Sequence, residues 1–203
     1  EGYAAISLED FVATAKGDRR QTQREVLLTF DDGYQNNLTY AYPMLKKMGW
    51  KAVFFVIADS IEGNIGADDP LNRKLTEEEL KLLDPGAVRV AMHGYHHENF
   101  KKLTISEMKT VIEKTINIFT AKGIPLHKSI AYPYGGRPKD RAIFNEFKSW
   151  MSQSDIEAGF RIGNQVSRVP AEDIYEIKRI DIRGTDSIED FKIKLRKGKL
   201  KPF

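Results

Sequence analysis

The chain has 203 residues, with 32 Lys+Arg against 29 Asp+Glu for a formal charge of +3, 41 % hydrophobic residues, four His and no Cys. That length suits one domain with a core of its own, and the composition is too apolar for a disordered chain. The lack of cysteine excludes thiol nucleophiles, disulfide frameworks, thiolate zinc clusters and iron–sulfur centres together, so a bound metal must be held by His, Asp, Glu or water.

A small charge spread over mixed signs gives no reason to expect nucleic acid, and the basic run 192–201 reads as a solvated helix face and tail. No apolar stretch approaches the roughly 18 residues that span a bilayer. The chain opens at Glu1 without a charged-then-apolar leader, which predicts a truncated or processed N-terminus in front of a single domain over 1–203.

Along the chain, β-branched and aromatic runs at 26–30, 51–57, 88–93, 129–134, 159–163 and 176–182 read as buried strands. Between them lie helical patterns. Residues 75–83 begin with an acidic start, Thr76-Glu77-Glu78-Glu79, and end at Asp84-Pro85-Gly86. Over 106–122, Met108, Val111, Ile112, Thr115, Ile116 and Phe119 form one stripe that stops at Gly123. A last helix occupies 187–197. Alternating strands and helices predict an α/β fold with a mostly parallel sheet, open or closed into a barrel, with chemistry at the C-terminal ends of its strands.

Three motifs stand at such ends. Thr29-Phe30-Asp31-Asp32-Gly33 follows an apolar run. Alternation points its two carboxylates in different directions, so one can ligate a cation while the other accepts a proton; taken alone, the stretch reads as a turn. His93-Gly94-Tyr95-His96-His97 places two imidazoles four apart, a spacing that brings them to one side of a helical turn, with His96 off that face. Two imidazoles and a carboxylate make a three-ligand set with positions open for water and substrate. Zinc suits it and lowers its water's pKa to about 7, and non-haem iron fits the same ligand types. Ala131-Tyr132-Pro133-Tyr134-Gly135-Gly136 pairs a rigid turn with a permissive one, able to present a backbone N–H to an oxyanion and an aromatic wall to a sugar, or simply a packed loop.

In this order, TFDDG, HxxxH and the Pro-Tyr-Gly segment resemble the polysaccharide deacetylase family, also called the NodB-homology or carbohydrate esterase family four, over about residues 25–182. Ala131-Tyr132-Pro133-Tyr134-Gly135 is similar to its poly-N-acetylglucosamine deacetylase-like subgroup. The resemblance implies a bacterial enzyme of carbohydrate metabolism on a distorted (β/α) barrel of about six or seven mostly parallel strands. It also implies a divalent metal, Zn²⁺ foremost, and removal of N-acetyl groups from a glycan by attack of metal-bound water. Carried over by position, Asp31 is the general base and Asp32, His93 and His97 are the metal ligands. The Tyr134 N–H holds the oxyanion, and Tyr132, Pro133, Tyr134 and Gly135 line the substrate.

The chain departs from the family at three places. Ala131 stands where many members carry the Arg that orients the base, Gly94 replaces a common Ser or Thr, and no His follows His127 to serve as the usual late acid. His127 precedes its strand and reads as a surface residue on the opposite rim. Arg179 and Asp181 alternate with Ile180 and Ile182, which predicts that both point inward, Arg179 pairing with Asp31 and Asp181 moving a proton. Segment 58–74, with Gly63, Gly66 and an Asp68-Asp69-Pro70 turn, is long enough for a rim or lid. The other readings are a carbohydrate-binding pseudoenzyme, an amidohydrolase for a smaller amide and, last, an iron oxygenase. The glycan reading favours the cell envelope or an extracytoplasmic location, with the glycan as the partner.

Overall fold

The computed structural model describes residues 2–63 and 72–200, so Gly66 and the Asp68-Asp69-Pro70 turn lie outside the described residues. Its strands are β1 (Tyr3–Ala5), β2 (Arg24–Val26), β3 (Leu28–Phe30), β4 (Ala52–Val56), β5 (Val88–Met92), β6 (His127–Ala131), β7 (Ala158–Ile162) and β8 (Ile177–Arg179). The α-helices are α1 (Leu8–Lys16), α2 (Tyr42–Met48), α3 (Glu77–Lys81), α4 (Ile105–Ala121), α5 (Arg141–Gln153) and α6 (Ile188–Lys197). A short π-helical stretch, Asn37–Ala41, leads into α2, and 3₁₀ turns occupy Ala58–Glu62, Phe100–Lys102 and Pro133–Gly135.

Six strands form one all-parallel sheet in the order β3-β4-β5-β6-β7-β8, and β1 and β2 make a separate parallel pair. The sheet curls so far that its edge strands meet through side chains: Arg179 of β8 hydrogen-bonds to Thr29 of β3 at 3.1 Å. This is the expected distorted barrel, left as a curled half-barrel. The strand expected over 26–30 breaks at Leu27, so that its first part pairs with β1 and only Leu28–Phe30 joins the main sheet.

Period-two alternation sorts the strand residues between two faces. Val53, Phe55, Ala91, Ala131, Ala158, Phe160 and Ile177 face inward and pack on Leu8, Val12 and Ala15 of α1, which plugs the curl. Outward-facing Phe54, Val56, Val88 and Val90 pack on Leu45, Leu80 and Phe119 of the outer helices. Met92 and Ile130 pack on Met108, Ile112, Phe144 and Phe147. The stripe on α4 behaves as its spacing predicts, with Met108, Ile112, Thr115 and Phe119 buried and a Thr104–Glu107 capping box at its start.

Candidate active site and metal centre

β3 ends at Phe30, and the backbone then reverses through Asp32 and Gly33, both at φ +69. A side chain on Gly33 would meet Val56 Cγ1 at 3.1 Å, so the turn needs glycine there. Asp tolerates the left-handed region better than most residues, and the reversal sends the two carboxylates apart. Asp31 takes a bidentate pair of bonds from Arg179, at 2.6 and 2.7 Å. Asp32 turns to the histidines, with Oδ1 at 3.1 Å from His93 Nε2 and 3.4 Å from His97 Nε2.

His93 follows β5, and its N–H donates to the Val56 carbonyl, 3.0 Å away, which continues the β4–β5 ladder by one bond. Its ring is almost fully buried, and Nδ1 lies 2.8 Å from the Ala131 carbonyl oxygen. A carbonyl only accepts, so Nδ1 carries a hydrogen, and Nε2 faces Asp32. The loop after His93 is not helical: His97 sits at φ +58, and its ring reaches within 4.9 Å of the His93 ring, centroid to centroid, by backbone reversal rather than by a helical turn. Among the described residues, Asp32, His93 and His97 form the one group of three such side chains able to hold a metal ion, with one ligand atom from each lying within 4.8 Å of the others. His96 turns away and pairs with Asp59.

Burial pushes the Asp32 carboxyl up, but the His93 hydrogen bond and the charges of His93, Lys74 and His97 outweigh it and hold it well below the usual carboxylate range. Burial, with the neighbouring His93, pushes the His97 imidazole below its ordinary 6.5. Both groups thus favour the proton-free forms that ligate metal.

The third motif adds a cover. Tyr134 is held at φ +58 and is 67 % exposed, and its ring centroid lies 4.4 Å from that of His97. The Gly135 and Gly136 N–H groups donate to the Tyr132 and Pro133 carbonyls, fixing the turn. Two of the residues expected to line the substrate do not reach a surface. Tyr132 is 1 % exposed, packed on Phe100 and Phe144, and Pro133 is buried beneath the turn. Strand alternation sends Tyr132 to the outer core, whereas Ala131 faces the curl.

Arg179 arrives where its alternation predicts; Asp181 does not. β8 ends at Arg179, the alternation stops with it, and Asp181 pairs with Arg183 at 3.0 Å instead. His127 does stand at the start of β6, away from the motifs, but it is not a surface residue: its side chain is 8 % exposed and pairs with Glu157 at 3.4 Å. Sequence reading overlooked Lys74, whose amine lies 3.7 Å from Asp32 Oδ2, because nothing local marks a lysine just before a capping box as buried. Among the described residues, three of the five non-glycine positions at positive φ, Asp32, His97 and Tyr134, belong to this cluster, the concentration of backbone strain that functional sites show.

A parallel α/β half-barrel with a carboxylate and two imidazoles converging from the C-terminal ends of β3 and β5, on either side of β4, beside a second, arginine-held carboxylate, carries a candidate metal site where such folds place their chemistry. The family profile for polysaccharide deacetylases matches residues 18–149, and the chain belongs to that family. It is 29 % identical over 134 residues to a Bacillus subtilis protein, YxkH, whose name assigns it to the polysaccharide deacetylases, covering 66 % of this chain and 45 % of that one. It is 31 % identical over 61 residues to the poly-beta-1,6-N-acetyl-D-glucosamine N-deacetylase of Escherichia coli, covering 30 % and 9 %. The chain thus spans less than half the length of these relatives. Its fold is that of the Streptococcus pyogenes deacetylase PplD, with a TM-score of 0.79 at 20 % identity over 95 % of this chain and 80 % of the other. It is also that of IcaB from Ammonifex degensii, at 0.72 and 18 % identity over 98 % and 83 %.

Proposed function

We propose that the chain is a metal-dependent hydrolase that removes N-acetyl groups from an N-acetylated glycan, with Asp31 as the general base. The observation that carries this reading is the division of labour between adjacent carboxylates: Asp32 joins the two imidazoles while Asp31, with Oδ2 4.0 Å from His93 Nε2, stays outside the ligand set and is fixed by Arg179.

The donor set fits a cation. With His93 Nδ1 donating to Ala131, its Nε2 faces Asp32 Oδ1 at 3.1 Å, and the Nε2 lone pair and that oxygen would both point at a cation set between them. Asp32, His93 and His97 would hold a divalent ion such as Zn²⁺, which supplies Lewis acidity toward water and the acetamide carbonyl. The chain's own groups do the rest. Asp31 accepts a proton from the attacking water, and its two bonds from Arg179 aim both oxygens so that one can do so. The Tyr134 N–H donates to the oxyanion as the carbonyl becomes tetrahedral. Its exposed ring, standing on His97, offers a face to the sugar. Asp31 then returns the proton to the leaving nitrogen. Acetate and a free amine result.

The missing motif-three arginine, Ala131, also finds an answer here: the guanidinium reaches the base from β8 across the curl rather than from β6. An enzyme acting on an envelope polymer belongs outside the cytoplasm, and poly-N-acetylglucosamine is the substrate suggested by the E. coli relative. Incubation with Zn²⁺ and N-acetylglucosamine oligomers tests the reading: acetate and free amine are expected in equal amounts. Metal uptake without release of acetate from any N-acetylated glycan would leave the pseudoenzyme reading in its place.

A further inference from the structure

The Asp32 carboxylate has two oxygens, and only one faces the imidazoles. The other, Oδ2, faces the amine of Lys74 at 3.7 Å. Lys74 is 8 % exposed, and its Nζ stands 3.2 Å from the centroid of the Tyr34 ring. An ammonium is costly to bury unless something offsets its charge, and here a ring face and a carboxylate oxygen do so. At 3.7 Å the contact with Asp32 is an ion pair rather than a tight hydrogen bond.

Lys74 is also held firmly from its backbone. It forms an isolated antiparallel bridge with Tyr34. On one side the Leu75 N–H donates to the Gly33 carbonyl at 2.8 Å, and on the other the Gln35 N–H donates to the Arg73 carbonyl at 2.9 Å. Leu75 is fully buried in the outer core, and Arg73 makes a bidentate pair with Glu79 of the α3 capping box, at 2.6 and 3.0 Å. The lysine is therefore clamped to the same turn that carries Asp32, so its amine is fixed relative to that carboxylate.

We propose that Lys74 is a positioning residue of the metal centre: it occupies Asp32 Oδ2, so that Asp32 offers Oδ1 alone to the cation and leaves the other positions to water and substrate. The inference rests on the metal reading above. A carboxylate freed from such a partner can bind a cation through both oxygens, which both tightens the metal and takes up a position the reaction needs. A buried lysine that merely completes the packing makes the opposite prediction, because its loss would loosen the site or leave it unchanged.

The probe is Co²⁺ bound to the metal-free protein, followed by its visible absorption and by competition with Zn²⁺. Lys74→Met is expected to bind Co²⁺ about tenfold more tightly, through the added oxygen and the removed like charge. Its cobalt absorption should weaken, as it does when coordination number rises, while deacetylation falls. Lys74→Arg, which keeps the charge, should restore the wild-type affinity and spectrum, and Lys74→Gln serves in place of the methionine variant should that one not fold. A neutral variant that folds and binds Co²⁺ with the wild-type spectrum, and no more tightly than the wild type, overturns the role of Lys74. Failure of the wild type itself to bind Co²⁺ or Zn²⁺ overturns instead the metal reading on which it rests.

Discussion

At the scale of single residues, the neighbours Asp31 and Asp32 meet different partners because one backbone reversal separates them. Replacing Asp31 by Asn keeps the shape of the side chain but removes the base and, because an amide nitrogen cannot accept, one of its two bonds from Arg179. Turnover should fall by roughly 10²–10⁴ with little change in metal content, measured by acetate release and by elemental analysis of the purified variant. Asp32→Asn should instead lose the metal. The His97 imidazole lies below its ordinary 6.5 when folded, so the unfolded chain binds more protons than the folded one just below that pH. The stability His97 contributes is present above that pH and is lost as the pH falls through the lowered value. Zn²⁺ affinity should accordingly stay nearly flat from pH 8 down past 6.5 and decline only as the pH falls through the lowered His97 value, where protons compete for that ligand, which titration calorimetry across that range will show. These candidate ligands were legible because two short motifs held them. Lys74 was not, because its burial comes from a bridge to Tyr34, forty residues away in sequence.

At the scale of elements, the strong local signals were the ones that held. The acidic starts of α3 and α6 and the stripe of α4 correspond to helices capped by Thr76, Ser187 and Thr104, each with a full capping box. Thr104→Ala should cost about 1 kcal/mol, read as a lower thermal midpoint with unchanged metal binding, since α4 packs on the sheet's outer face. Helices α1 and α5 and strand β1 escaped the sequence reading, although Ser7 and Asp140 cap those helices. Their apolar residues make sense only against partners elsewhere: Leu8 and Val12 against the inner face of the curl, Phe144 and Phe147 against Tyr132 and Phe100. Tyr132 shows the same limit in reverse. An aromatic beside Pro133 and Tyr134 looked like part of a sugar platform, and the pleat of β6 decided which aromatic faced solvent.

At the scale of the whole molecule, the contact between Arg179 and Asp31 spans 148 residues and joins the two edges of the curled sheet. The pair therefore aligns the base and fastens the seam at once. Arg179→Met should lower both turnover and stability, the latter by about 1 kcal/mol because a partly buried carboxylate loses its partner. Combining it with Asp31→Asn should cost less than the sum of the two, as denaturant melts of the four proteins will reveal. Chelation should act at the same scale, since the ligands come from the ends of β3 and β5. Zn²⁺ at 100 times its dissociation constant adds about 2.7 kcal/mol, so its removal should lower the midpoint by several degrees.

The sequence alone determined the class of fold and named the residues of the candidate centre. Strand and helix periodicity are local, and an Asp-Asp-Gly turn and a His pair carry their chemistry wherever they are placed. Only the tertiary structure decided how those groups are aimed. It brought Arg179 across the seam to stand in for an arginine that β6 lacks, put Lys74 on the spare oxygen of Asp32, turned Tyr132 into the core and left Asp181 outside. Each of these depends on which strand lies beside which and on how far the sheet curls, and those are properties of packing that no short stretch of the chain contains.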